Sequence, residues 1–375
     1  MSVRYYILLL AYAWRIPALP AQAPSWTWTA LLHGGAIYKH TPALTIDSRG
    51  LVTGIGLSAE YQTDGSRAWA RRLGQPKIGV ETGWFRFADT RHLGYGIGLT
   101  PKVVLPILRR GGTGIWGSFG LGIGLVTRPY DPISNPKNNA NGTHFNNFST
   151  FRLRVDHAGG AGRSWSVGIS FSHFSNGRSG LPNYGLNIPG LTLGWDIARR
   201  PARALAHRNE LPVDTLVKRE RRWHLWAEFS AGREEIAAAS GLKYPLINAA
   251  VGLSYRHNAA QMSLAGAEYE YNYAVYNFYK FLEQYPPDKT RETGRRYALF
   301  VAHELMFGPV SFGAQLGFYV GPYRTLLPLV FYNKLNLRYY FSPFEKERPS
   351  FFVALHMKAH GSNAEYFSLG LGVSL

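Results

Sequence analysis

At the end of an alternating run, the chain carries a histidine and a serine two positions apart, His173 and Ser175. Trp165, Val167, Ile169 and Phe171 share one parity, Ser166, Gly168, Ser170 and Ser172 the other, and the apolar parity continues into His173 and Ser175. On a strand such residues point to one side with about 7 Å between Cα atoms, a span that an imidazole and a hydroxymethyl group can close. A serine beside a histidine is the pairing that nucleophilic ester chemistry uses. Polar groups on a greasy face cost free energy unless they are paired or lie near an interface, and a strand that has merely reached the headgroup zone would also tolerate them. A turn-rich stretch follows, in which Asn176, Gly177, Pro182, Asn183, Gly185 and Asn187 set several amides beside the pair. A new strand then begins with Leu191, Leu193, Trp195 and Ile197 on its greasy face.

The rest of the chain supplies the frame for that pair. About sixteen segments of roughly ten to fourteen residues place apolar side chains on one parity, the period of a strand with one greasy face. Ile115, Phe119, Leu121, Ile123 and Leu125 oppose Ser118, Gly120, Gly122 and Gly124. Val310, Phe312, Ala314, Leu316, Phe318 and Val320 oppose Ser311, Gly313, Gln315 and Gly317, and the last strand sets Phe367, Leu369, Leu371, Val373 and Leu375 against Ser368, Gly370, Gly372 and Ser374. Trp223, Leu225 and Phe229 likewise oppose His224 and Glu228. No helix pattern follows Gly120-Leu-Gly-Ile-Gly124, so these glycines read as lumen-side strand residues and not as a nucleotide loop. Aromatic residues make up 14% and charged residues 17% of the 375 positions. Past the N-terminus there is no run of about 18 apolar residues, which excludes a helical span and fits thinly spread hydrophobicity.

Residues 1–23 read as an export leader: Arg4, an apolar stretch from Tyr5 to Trp14, then Ala18-Leu-Pro-Ala-Gln-Ala23 with cleavage after Ala21 or Ala23. Export directs the apolar parity toward lipid. The fold class expected is therefore all-β, an antiparallel transmembrane β-barrel of about 14 to 16 strands and at least eight. It would occupy residues 24–375, with the functional motif at 173–187. With the N-terminus periplasmic, the long polar stretches 128–145, 176–190 and 274–292 fall outside, and short turns near 258 and 308 fall inside. The basic stretch 198–222 is the exception. Either the strand count slips there, or two eight-stranded units meet at that point.

The net charge of +18 implies an anionic partner, and export disfavours nucleic acid in favour of anionic lipid. The chain has no cysteine, which excludes disulfides, thiolate metal sites and a cysteine nucleophile. His303-Glu304 lacks the second histidine of a zinc helix, so no metal and no cofactor are assigned. Asn141-Gly-Thr143 and Asn147-Phe-Ser149 match the glycosylation triplet, which is frequent by chance and is assigned no role.

The order His173-Phe-Ser175-Asn176, then Pro182-Asn183-x-Gly185-Leu186-Asn187, resembles the outer-membrane lipid A deacylases of the PagL type, also called bacterial acyloxyacyl hydrolases. Asn135-Pro-Lys-Asn-Asn139 and Gly142 add a weaker likeness. The resemblance implies a serine esterase of the bacterial outer membrane that removes the 3-O-linked acyl chain of lipid A and needs no cofactor. It makes Ser175 the nucleophile and His173 the base. Asn187 falls where better-known members carry Glu: an amide can orient the imidazole but brings no charge to the imidazolium. Asn176 and Asn183 are candidate donors to the oxyanion. Arg178, with Arg86 and Arg128 at other outer strand ends, is a candidate partner for lipid A phosphates. Lipopolysaccharide in the outer leaflet would reach His173 and Ser175 by lateral diffusion, since both come at the outer end of an outward-running strand. Family members are eight-stranded, so the extra strands have no counterpart in the resemblance. The competing class is a non-catalytic porin-like or structural barrel, for which sixteen strands would leave a watery lumen. A secreted soluble β-sandwich would keep the same alternation.

Overall fold

The computed structural model describes residues 25–159, 164–201, 222–236, 241–321, 329–342, 349–361 and 363–375. The expected leader and residues 202–221 of the basic stretch lie outside them. Strands account for most of the described chain. They are β1 (Ser25–Gly35), β2 (Val52–Gln62), β3 (Lys77–Arg86), β4 (Tyr95–Arg110), β5 (Thr113–Val126), β6 (Phe145–Ala158), β7 (Ser164–Ser175) and β8 (Leu186–Pro201) in one half. In the other half are β9 (Trp223–Glu235), β10 (Lys243–Asn258), β11 (Gln261–Asn272), β12 (Arg295–Phe307), β13 (Val310–Val320), β14 (Phe331–Tyr340), β15 (Ser350–His360) and β16 (Asn363–Ser374).

Each half closes on itself. Consecutive strands pair antiparallel, β8 returns to β1 with Gly190 opposite Gly35, and β16 returns to β9 with Leu371 opposite Phe229. Residues 24–375, expected as one barrel, thus hold sixteen strands in two closed rings of eight, and the basic stretch marks the joint. An eight-stranded ring has an interior just wide enough to be filled by side chains, unlike the watery lumen expected of a sixteen-stranded channel. The chain divides into two compact units, Met1–Asn176 with Tyr184–Arg208, and Gly177–Asn183 with Asn209–Leu375.

The alternation has the polarity expected of a barrel in lipid. Ile169, Leu191, Ile123, Leu369 and Phe318 lie exposed on outer faces, while Gly124, Ser368, Gln315 and Glu228 are turned inward. In the first barrel the inner face holds Glu60 and Glu81 against Lys102, Arg152 and Arg154, with Lys102 Nζ 2.7 Å from Glu60 and 2.8 Å from Glu81. In the second, Arg296 reaches Glu270 at 2.7 Å and Glu365 at 2.6 Å, Lys334 reaches Glu268 at 2.8 Å, and Arg338 bridges Glu228 and Glu304. Pairing of this kind offsets the cost of removing charges from water.

The loop end of the first barrel is filled differently. Phe85, Phe87, Phe148 and Phe174 form an aromatic plug, with Ile37, Leu44, Ile46, Leu93 and Ala140 of the loops packed into the same cluster. Gly98 makes room for it, because a Cβ there would lie 2.3 Å from the Phe148 ring. The loops are pinned together: Asn139 Nδ2 donates to Ala43 O at 2.6 Å, and Thr45 N donates to Asn139 Oδ1 at 2.9 Å. At the other ends the turns near 258 and 308 are short, as expected, whereas β2 and β3 are joined there by residues 63–76, which include a short helix, Ala68–Arg72. The stretch 274–292 carries most of a helix, Tyr273–Phe281, started by Asn272 Oδ1 accepting from Ala274 N at 2.9 Å and Val275 N at 3.2 Å.

Candidate active site on the outer face of the first barrel

Antiparallel register assembles the site across three strands. His173 of β7 lies directly opposite Asn187 of β8 and Ser149 of β6, and Ser175 lies opposite Asn147. Directly opposed residues on one face bring their side chains within contact range. All five therefore share the outer face at the loop end of the barrel, next to apolar neighbours such as Phe151 and Leu191. His173 is half-buried and Ser175 is nearly covered, at 8% exposure.

Phe174 holds this strand end. It points inward between the two outward residues, fully buried, with its ring 4.6 Å from Phe148 and 5.9 Å from Phe85. Gly185 closes the site from the other side: a Cβ at this position, which has φ +75°, would lie 3.0 Å from His173 Cε1 and 3.4 Å from Ser175 Cβ. Gly185 N in turn donates to Ala140 O at 2.8 Å and Tyr184 N to Asn139 O at 3.2 Å, which ties this turn to the asparagine-rich loop.

His173 Nδ1 and Asn187 Oδ1 are 2.7 Å apart. With its proton on Nδ1 the imidazole donates to the amide oxygen and keeps a lone pair on Nε2, the state a general base needs. The far side of the same amide is also engaged, Asn187 Nδ2 lying 3.0 Å from His40 Nδ1. His40 arrives because the chain beyond β1 stays paired with β8, Ala36 N donating to Pro189 O at 3.1 Å and Tyr38 N to Asn187 O at 2.8 Å.

The other residues singled out by sequence are placed as follows. Asn176 is buried and its Nδ2 donates to Thr143 Oγ1 at 3.0 Å, which anchors the strand exit. Arg178 and Asn183 belong to Gly177–Asn183, which groups with the second unit, whereas His173, Ser175, Asn176 and Asn187 belong to the first. Arg128 donates to Arg91 O at 2.8 Å, and Arg86 is exposed at the end of β3. Asn138 staples its loop, its Nδ2 donating to Arg128 O at 2.6 Å and its Oδ1 accepting from Ala140 N at 3.0 Å.

Sequence reasoning missed three neighbours. Asn147 and Ser149, noticed only as a glycosylation triplet, flank the pair and bond each other, Ser149 Oγ donating to Asn147 Oδ1 at 2.6 Å. Polar residues on the outward parity of β6 were the signal that could have found them. His40 carried no such signal. A second Ser–His contact lies on the outer face of the other barrel, Ser263 Oγ standing 2.8 Å from His257 Nε2 and 3.0 Å from His303 Nδ1. It sits at the short-turn end.

Residues 53–196 match the family model described as lipid A 3-O-deacylase (PagL), and residues 222–375 match the one described as acyloxyacyl hydrolase, C-terminal domain. The two matches divide the chain where the two barrels divide. Together they make the protein an ester hydrolase of the bacterial outer membrane, built as β-barrels. The chain belongs to the PagL family of lipid A 3-O-deacylases. Among solved structures, the outer membrane enzyme PagL is similar at 16% identity over 46% of this chain and 99% of that one, with a TM-score of 0.31. A BenF-like porin from Pseudomonas fluorescens Pf-5 is similar at 10% identity over 94% of this chain and 98% of that one, with a TM-score of 0.22. No curated protein matches the chain.

Proposed function

We propose that the first barrel deacylates lipid A with Ser175 as nucleophile, His173 as base and Asn187 as the group that orients the imidazole. The observation that carries this reading is the 2.7 Å contact of His173 Nδ1 with Asn187 Oδ1, on the lipid-facing side that also bears Ser175. Ser175 Oγ attacks the ester carbonyl of the 3-O-linked chain while His173 Nε2 takes its proton. The imidazolium then returns that proton to the departing sugar hydroxyl, leaving an acyl-serine that water hydrolyses by the same base. Asn187 orients the imidazole but contributes no charge, so the imidazolium is stabilised less than a carboxylate would allow. The position at the loop end of an outward strand suits an ester held at the outer boundary of the outer leaflet, and the substrate enters sideways from the bilayer.

Mass spectrometry of lipid A from cells expressing the protein, beside cells expressing Ser175→Ala at equal membrane levels, tests this. Loss of one hydroxyacyl chain only with the unaltered protein is expected. Identical spectra from the two would rule out Ser175 as the nucleophile.

A further inference from the structure

We infer that His40 is a positioning residue that keeps the Asn187 amide turned the productive way, so that the site works as a four-membered relay of Ser175, His173, Asn187 and His40. This rests on the Ser175–His173 reading above and extends it. An amide, unlike a carboxylate, has two unlike ends. When Asn187 Oδ1 faces His173, the imidazole must carry its proton on Nδ1 and leaves Nε2 free to accept from Ser175. When the amide is turned over, its N–H faces His173 Nδ1, which must then be the acceptor; the proton sits on Nε2 and the base is lost.

Nothing in the His173–Asn187 contact alone selects between these arrangements, because each makes one hydrogen bond. The second contact does, for the His40 tautomer that carries its proton on Nε2. His40 Nδ1 lies 3.0 Å from Asn187 Nδ2 while His173 Nδ1 lies 2.7 Å from Asn187 Oδ1. A neutral His40 with its proton on Nε2 offers a lone pair to the amide N–H, and both bonds are then satisfied only in the productive orientation. The backbone keeps His40 in reach of the amide. Tyr38 N donates to the carbonyl of Asn187 itself at 2.8 Å, so the loop segment and the amide it steadies share one anchor. The requirement follows from having Asn at position 187, since a carboxylate presents an oxygen to His173 whichever way it is turned.

The test compares His40→Phe in two backgrounds, the unaltered chain and Asn187→Asp, in reconstituted outer-membrane vesicles containing lipopolysaccharide. In the unaltered chain His40→Phe is expected to lower kcat about tenfold, the scale of one lost hydrogen bond, with KM unchanged. In the Asn187→Asp background the same change is expected to lower kcat less than about twofold. Equal losses in both backgrounds would make His40 a packing residue, and no loss in the unaltered chain would remove it from the site; either overturns the relay. Where His40→Phe does not assemble in the membrane, His40→Ala carries the same comparison. Full activity in Ser175→Ala would instead overturn the Ser–His reading itself, whatever His40 does.

Discussion

The ring of Phe174 meets that of Phe87 edge to face, centroids 5.6 Å apart at an interplanar angle of 89°. Alternation along a strand makes this contact inside the barrel the reverse side of the His173–Ser175 pair outside it. Phe174→Ala empties a site among Phe85, Phe87 and Phe148 and is expected to cost about 3 kcal/mol. Its kcat is expected to fall as well, because the strand end loses its inward anchor. Urea unfolding in detergent followed by tryptophan fluorescence, beside initial rates of acyl release, checks both. Lower stability with full kcat would show that the plug supports the barrel without positioning the pair.

Asn187→Asp puts a negative charge 2.7 Å from the nitrogen that shares the developing imidazolium. In the serine protease case the opposite exchange costs about 10⁴ in rate, so kcat here is expected to rise, by about tenfold or more. Acyl release per enzyme from defined lipid A vesicles is the measurement, and an unchanged rate would mean that position 187 is not coupled to proton transfer.

Gly185→Ala tests the closeness of the turn to the pair. Its backbone at φ +75° disfavours a side chain, and the new methyl would lie 3.0 Å from His173 Cε1 and 3.2 Å from Phe174 O. Pushing the imidazole aside by a fraction of an ångström is expected to lower kcat about tenfold. Measuring KM alongside separates displaced catalytic groups from impaired substrate binding.

Inside the first barrel, Glu81 accepts from Lys102 at 2.8 Å and from both terminal nitrogens of Arg152, at 3.0 and 2.6 Å. Glu81→Gln strands buried positive charge and is expected to cost about 3 kcal/mol, whereas adding Arg152→Met should recover most of that loss. The urea midpoints of the single and double variants decide it, and a double variant no better than the single would contradict the ion-pair account.

Much of this was legible in the sequence because a strand writes its two faces on alternate residues. The outward parity of Trp165 to Phe171, Ile115 to Leu125 and Val310 to Val320 is the outward face in the structure, and it placed His173 and Ser175 on the lipid side. What alternation does not encode is closure. Whether β8 turns back to β1 or continues to β9 depends on ladder hydrogen bonds that leave no period in the sequence, so one ring of sixteen and two of eight read alike, apart from the basic stretch at the joint. His40 was invisible for a related reason: its contact with Asn187 spans 147 positions and comes from a loop, where no periodicity signals direction.

Each ring pairs its own first strand with its own last, β1 with β8 and β9 with β16. Neither leaves a row of unsatisfied amides on which a stray polypeptide could lengthen the sheet. Closure also sets a timetable. A polypeptide delivered from its N-terminus has every strand needed to finish the first ring once Pro201 has arrived, with the second ring still to come. Each ring is therefore complete in its ladder without borrowing a strand from the other.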